Sequence, residues 1–132
     1  RGLLLIDLDH FKKVNDTCGH AFGDEVLRAA TKAIQSSVRA GDVVARIGGE
    51  EFVVLLPDLT KDAARRIGER IRTAINTAAG VEGITITASV GASFWEHGGR
   101  SLEAALKAAD GSMYEAKRQG RDRMVFPDTE PR

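Results

Sequence analysis

The sequence holds a single cysteine, Cys18, in 132 residues. No disulfide can form within the chain, and this usage fits a reducing compartment. No apolar run approaches the roughly 20 residues needed to span a bilayer, and no signal peptide is visible. Charge of one sign is missing too, since lysine plus arginine and aspartate plus glutamate number 19 each. Without a basic field, a nucleic-acid polymer is not an expected partner, although a nucleotide needs only a local cluster. What is present is 42% hydrophobic residues, with three long segments of helical period. That suffices for one soluble globular domain with its own core.

The stretch Arg46-Ile47-Gly48-Gly49-Glu50-Glu51-Phe52 organises the rest. Short β-branched runs flank it, Val43 to Ile47 and Phe52 to Leu56, and both read as strands. Gly48-Gly49 between them is expected to supply the positive φ angles of a tight primed hairpin turn. Strand neighbours point to opposite faces, so Glu50 and Glu51 cannot both be idle charges on a half-buried sheet. A solvated hairpin tip is the plainer alternative.

Leu3 to Leu8 is apolar except at Asp7, as in a central strand buried on both faces. Asp7 and Asp9 at its end are spaced to leave on one face. A carboxylate there is costly unless paired, hydrogen-bonded or metal-bound. Capping of the next segment is one reading. Metal binding is favoured because Glu50 can converge from the hairpin, and carboxylate oxygens with water suit magnesium or manganese.

Phe11 to Asn15 reads as a short helical turn and Asp16 to Gly19 as a polar loop. Asp24 to Arg39 reads as a helix with a Leu27, Ala30, Ile34 and Val38 stripe. Thr60 can cap a helix from Lys61 to about Ala78, whose stripe is Ala64, Ile67, Ile71, Ile75 and Ala78. Its arginines, Arg65, Arg66, Arg70 and Arg72, are expected to be mostly solvated. Gly80 to Gly83 is a predicted loop, and Ile84 to Phe94 an alternating strand in which Gly91 marks a bulge or close approach. In the loop Trp95 to Arg100, Trp95 and His97 are expected to be packing and surface residues. Ser101 caps the last helix, with Leu102, Ala105, Ala109, Met113 and Ala116 inward and Tyr114 at its edge. A strand Met124 to Phe126 and a frayed tail follow, giving residues 1–127 as the domain and 128–132 as the tail.

Gly48 to Phe52 resembles the signature of GGDEF domains in its Gly-Gly-Glu-Glu-Phe variant. So, in order and spacing, do Asp7-Leu8-Asp9-His10-Phe11-Lys12, Asn15-Asp16, Gly19-His20, Gly23-Asp24-Glu25-Val26-Leu27 and Lys117-Arg118-Gln119-Gly120-Arg121. The resemblance runs from about Leu3 to Phe126. It implies an α/β (α+β) fold with a βαββαβ core. Its mainly antiparallel central sheet, flanked by helices, is like the palm of nucleotide polymerases and class III nucleotide cyclases. It also implies a diguanylate cyclase, condensing two GTP into cyclic di-GMP with release of pyrophosphate. Family members usually carry a helix and an Asp-x-Leu-Thr-Gly-Leu-x-Asn-Arg segment before this point. The chain begins at Arg1 without them, as an excised domain would.

The resemblance also distributes roles. Asp7, the Leu8 carbonyl and Glu50 would hold two magnesium or manganese ions, and Glu50 or Glu51 would take the proton of the attacking hydroxyl. Lys12, Lys117 and Arg121 would oppose phosphate charge; a solvated Lys12 and a helix-terminal Lys117 are the plainer alternatives. Asn15 and Asp24 would read the guanine edge, where an amide and a carboxylate match its donors and acceptors. Turn and cap chemistry would explain them otherwise. Phe11 and His20 complete the implied GTP set. Arg39-Ala40-Gly41-Asp42 resembles a product-inhibition site, with Arg70 as a second grip. Arg39 could instead be a cation on a helix C-terminus.

One GTP per domain implies that two domains meet as a homodimer for catalysis. An upstream sensory or receiver domain and a cytoplasmic location follow from the same resemblance, with membrane attachment of the parent protein left open. The alternative is a catalytically silent domain acting as a receptor for GTP or cyclic di-GMP. A cyclase using ATP is disfavoured by Asn15 and Asp24.

Overall fold

In the computed structural model, which describes residues 1–78, 83–96, 99 and 101–127, Gly2–Leu8 forms β1, buried along its whole length. The order continues α1 (Phe11–Cys18), α2 (His20–Ser37), β2 (Val43–Arg46), β3 (Glu51–Leu56) and α3 (Lys61–Ala78). It ends with β4 (Ala88–Phe94), α4 (Leu102–Arg118) and β5 (Arg123–Val125). The sheet order is β2-β3-β1-β4-β5, antiparallel throughout except for the β4–β5 pair. This is the expected βαββαβ arrangement with a mainly antiparallel sheet.

Side chains alternate across a strand, so β1 divides its residues between two cores. Leu4, Ile6 and Leu8 join Ile34, Ile67, Ile71 and Ile75 on the face covered by α2 and α3. Leu3 and Leu5 pack with Ala105, Ala109, Met113 and Trp95 under α4. The odd-numbered face is therefore the α4 face, and Asp7 follows Leu3 and Leu5 onto it. Beyond α4, Val43, Leu55, Trp95 and Leu102 line an apolar cavity of about 290 Å³.

Both predicted caps are present: Thr60 Oγ1 accepts from the Ala63 amide and Ser101 Oγ from the Ala104 amide, each at 3.1 Å. Several expectations need correction. α1 continues through Asp16 to Cys18, and α2 starts at His20, so Asp24 lies inside a helix rather than capping one. Neither Gly48 nor Gly49 has positive φ. The hairpin instead closes with the Ile47 amide donating to the Glu51 carbonyl at 3.0 Å, which leaves a wider connection. The fourth strand begins at Ala88, and its serines are buried because helices cover both faces. Tyr114 and Leu102 are exposed, as is Ala78 at the end of α3. The arginines of α3 are mostly solvated, as expected, with Arg65, Arg66 and Arg70 exposed; Arg65 also stacks over Phe126 at 4.5 Å, and half-buried Arg72 bridges Glu69 and Asp122. His97, the tail 128–132 and most of the predicted loop at 80–83 lie outside the described residues.

Gly91 explains how closely α4 approaches the sheet. A Cβ at that position would lie 2.2 Å from the Ala109 carbonyl oxygen and 2.3 Å from the Met113 nitrogen. Backbone cannot yield as a side-chain tip can, so Gly91→Ala should cost about 3 kcal/mol or more. Gly111, inside α4, has nothing within 4 Å of its would-be Cβ, and Gly111→Ala should stabilise by about 0.5–1 kcal/mol. Urea unfolding measures both. An unchanged midpoint for Gly91→Ala would mean that α4 can leave the sheet without cost.

Candidate active site

The site grows from the carboxyl end of β1. Asp7 lies directly opposite Glu51 in the β1–β3 ladder, and the Leu8 amide donates to the Glu50 carbonyl at 3.2 Å. These bonds fasten the hairpin tip to the strand end. α4 returns over the same place, and Lys117 Nζ pairs with Asp7 Oδ2 at 2.5 Å. A polar cavity of about 150 Å³ gathers Asp7, Leu8 and Glu50, with Phe11 and Lys12 from α1 and Lys117 and Arg121 from the end of α4. Seven residues singled out in three distant parts of the sequence therefore share one space.

Both glutamates stay close to Asp7: Glu50 lines the cavity with it, and Glu51 faces it across the ladder. Burial, the negative charge of Asp7 and then Glu50 and Asp110 push the Glu51 carboxyl above its ordinary range, with Lys117 opposing. Like charges directly opposed on a sheet are destabilising. Lys117, itself only about a third exposed, offsets part of that repulsion through its bond to the buried Asp7.

Asp9 also lines this cavity, but its carboxylate is tied up elsewhere. It lies past the strand, 5% exposed, and faces β4 and the turn after α4. Its Oδ2 accepts from the Thr87 hydroxyl at 2.7 Å and the Asp122 amide at 3.0 Å, and its Oδ1 from the Ser89 hydroxyl at 2.6 Å. Sequence reasoning missed Thr87, Ser89 and Asp122. Two hydroxyl residues on a strand are a weak signal without knowing what that strand pairs with.

The residues expected at the guanine edge form a second group. Asn15 Nδ2 donates to His20 Nδ1 at 2.9 Å. Gly23 makes room for this arrangement, because a Cβ there would lie 2.2 Å from Asn15 Oδ1. Asp24, one residue on, lines a neighbouring cavity of about 580 Å³ with Arg28 and Arg46. Asn15, His20 and Asp24 are thus adjacent to one another but outside the smaller cavity around Asp7.

Arg39 and Asp42 meet each other. The Arg39 amide and guanidinium both donate to the Asp42 carboxylate, with shortest distances of 2.7 Å, and the guanidinium also reaches the Pro57 carbonyl at 2.8 Å. The Asp42 side chain is 1% exposed and that of Arg39 42%. Burial pushes Asp42 up, but the hydrogen bonds from Arg39 outweigh it and hold the carboxyl below its usual range. Arg70 donates instead to the Ser37 carbonyl at 3.2 Å, beside a wider groove between α2 and α3. It does not touch the Arg39–Asp42 pair.

The donors around Asp7 fit a hard divalent cation: a buried carboxylate, a second carboxylate from Glu50 and the peptide oxygen of Leu8. Among the described residues no three His, Cys, Asp or Glu side chains form a metal-holding group, so the peptide oxygen is needed to complete the set.

The family model described as diguanylate cyclase, GGDEF domain, matches residues 1–123. The chain belongs to the GGDEF family. The response regulator PleD of Caulobacter vibrioides is 48% identical over 127 residues, which cover 92% of this domain and 28% of PleD. The diguanylate cyclase DgcP of Pseudomonas aeruginosa is 43% identical over 125 residues, 92% of this domain and 18% of DgcP. The GGDEF domain thus spans less than a third of either relative. Among solved structures, the active GGEEF domain of a Vibrio cholerae diguanylate cyclase superposes with TM-score 0.89 at 32% identity. That match covers 98% of this chain and 83% of the other. The GGDEF domain of DgcB from Caulobacter crescentus, in complex with cyclic di-GMP, gives TM-score 0.88 at 30% identity, covering 97% and 78%. No helix among the described residues is long and apolar enough to cross a membrane.

The raised Glu51 carboxyl predicts a pH-dependent stability. Its proton is held more tightly in the folded domain than in the unfolded chain, so ionised Glu51 lowers stability as pH rises through its shifted value. Glu51→Gln should therefore be more stable than wild type at neutral pH and equal to it below the ordinary carboxylate range. Urea unfolding at both pH values checks this, and a difference independent of pH would remove Glu51 as its source.

Proposed function

We propose that this GGDEF domain is a diguanylate cyclase, condensing two GTP into cyclic di-GMP with release of two pyrophosphates. The observation that carries the reading is the cavity where Asp7, Leu8, Glu50, Lys12, Lys117 and Arg121 converge. Asp7, the Leu8 carbonyl and Glu50 would hold two Mg²⁺ or Mn²⁺ ions. When bound, such ions polarise the α-phosphate and acidify the 3′-hydroxyl. Lys12 and Arg121 would receive phosphate oxygens, and Lys117 would share its charge between Asp7 and the phosphates. Asn15, with its amide held by His20, and Asp24 would read guanine, with Phe11 beneath them. Of the two glutamates, Glu51 suits proton transfer better, because its raised pKa brings it nearer the working pH of a base.

Each domain would supply one GTP, so two domains must face each other and the active species would be a homodimer. Arg39 and Asp42 would bind cyclic di-GMP as an inhibitor, with Arg70 contributing from α3. The relatives are several times longer than this chain, which supports an upstream receiver or sensory domain that governs pairing. Cytoplasmic GTP supplies the substrate. A receptor for GTP or cyclic di-GMP is the second reading, because the Arg39–Asp42 pair lies apart from the Asp7 cavity and could bind ligand without turnover.

Incubation with GTP and Mg²⁺, with the product separated by chromatography, tests the first reading. Turnover should fall about 10²-fold or more in Glu50→Gln while cyclic di-GMP binding survives. In a dimeric enzyme the total rate should rise as the square of protein concentration while dimers are rare. Strict proportionality in that range would rule out face-to-face catalysis. Arg39→Ala should carry product past the level at which wild type stalls, and stalling at the same level would exclude Arg39 from inhibition. A folded wild type with no turnover that still binds cyclic di-GMP would make the domain a receptor.

A further inference from the structure

Asp9 is buried, hydrogen-bonded through both carboxylate oxygens and given no role above. Its own amide donates to the Thr87 carbonyl at 2.9 Å, while its carboxylate takes the Thr87 and Ser89 hydroxyls and the Asp122 amide. Both oxygens are engaged by donors, although the side chain also lines the cavity around Asp7. What it does hold is the start of an unusual turn. Gly120, Arg121 and Asp122 are consecutive residues with positive φ, at 121°, 65° and 46°. Glycine adopts that region freely, but two successive residues with side chains do so only where their surroundings compel it.

Four bonds do so here. The Arg121 amide donates to the Ala116 carbonyl at 2.9 Å, and Arg123 Nε donates to the Arg121 carbonyl at 2.9 Å. Arg72 donates to Asp122 Oδ1 at 2.7 Å, and the Asp122 amide donates to Asp9. The first two are local to the turn, and the third reaches it from the exposed side of α3. The Asp9 bond fastens the turn to the end of β1, next to Asp7. That turn is what delivers Arg121 into the cavity shared with Lys12 and Lys117.

We propose that Asp9 is a positioning residue for phosphate recognition: its carboxylate fixes the left-handed turn at 120–122 and so aims Arg121 at the nucleotide phosphates. The assignment rests on the GTP site proposed above. It separates hydrogen-bonding capacity from charge. In Asp9→Asn one oxygen can still accept from Thr87 and Asp122, and the amide can donate to the Ser89 hydroxyl, which also accepts. In Asp9→Ala all three bonds are lost. A role in nucleotide binding that needed the negative charge of Asp9 would instead be lost in both.

GTP and guanosine are titrated in metal-free buffer, so that nothing turns over, against wild type, Asp9→Asn, Asp9→Ala, Arg121→Ala and the Asp9→Ala/Arg121→Ala pair. Asp9→Ala should bind GTP about tenfold more weakly, as expected on losing one charge-assisted contact, with guanosine affinity unchanged. Asp9→Asn should stay within about twofold of wild type, and the double variant should be no weaker than Arg121→Ala alone. Loss of guanosine binding in step with GTP, an Asn variant as weak as Ala, or losses that add would each overturn the proposal. If wild type binds GTP no better than guanosine, the phosphate site itself is misassigned. Amide hydrogen exchange at Asp122 then judges the turn alone. Slow exchange in wild type and Asp9→Asn with fast exchange in Asp9→Ala supports the fastening, and equal rates in all three refute it.

Discussion

A strand buried on both faces, ending in two carboxylates, sets the problem that the rest of the domain solves. Ionised groups taken out of water must be met by opposite charge or by hydrogen-bond donors. β1 meets Asp7 with Lys117 from α4, and meets Asp9 with Thr87, Ser89 and the amide of Asp122. Every one of those partners lies at least 78 residues along the chain. Compensation of two charges thus draws β4, the end of α4 and the start of β5 to the same end of the sheet. The cavity is the space left where these elements meet the hairpin, and their polar ends line it.

Much of this was legible beforehand, and the parts that were not share a cause. The continuous apolar run of Leu3 to Leu8 could only be a doubly covered strand, and the caps at Thr60 and Ser101 were declared by their own side chains. α2 was misjudged at its start because Gly19 caps it without any side-chain bond, leaving no local mark. Gly48-Gly49 looked like a primed turn since that pair is common there; the ladder instead extends to Ile47 and Glu51, and the glycines need no positive φ. Ile84 to Thr87 alternates as a strand does, yet Ile84 forms only an isolated bridge and the ladder with β1 begins at Ala88. Convergence of Asp7 with Glu50 was readable from strand order. The hydrogen bonds that occupy Asp9 were not, because its partners lie on distant elements.

The site also keeps its acids under tension. Asp7 and Glu51 are direct cross-strand neighbours, Glu50 is adjacent, and Lys117 is the nearest cation to Asp7. A fold selected for stability alone would not oppose two carboxylates on a covered face. Such an arrangement is tolerable where the charge is put to use, and the raised Glu51 carboxyl is its local expression. Stability given up at one strand end is the usual companion of a working site.

Arg39 and Asp42 show a different electrostatic economy. Their pair is fully satisfied within the chain, through both the backbone and the side chain of Arg39. A ligand arriving there would compete with an existing bidentate contact rather than fill an unpaired one. Asp42, with its side chain 1% exposed, is the more enclosed member, and Arg39, 42% exposed and bonded also to the Pro57 carbonyl, is the more accessible one. In the proposed product site, guanine would offer O6 and N7 as paired acceptors for the guanidinium, so the exchange would replace one two-pronged contact by another. Affinity at the proposed site would therefore be set by the difference between two similar interactions, which would keep it weak enough to respond to ligand concentration.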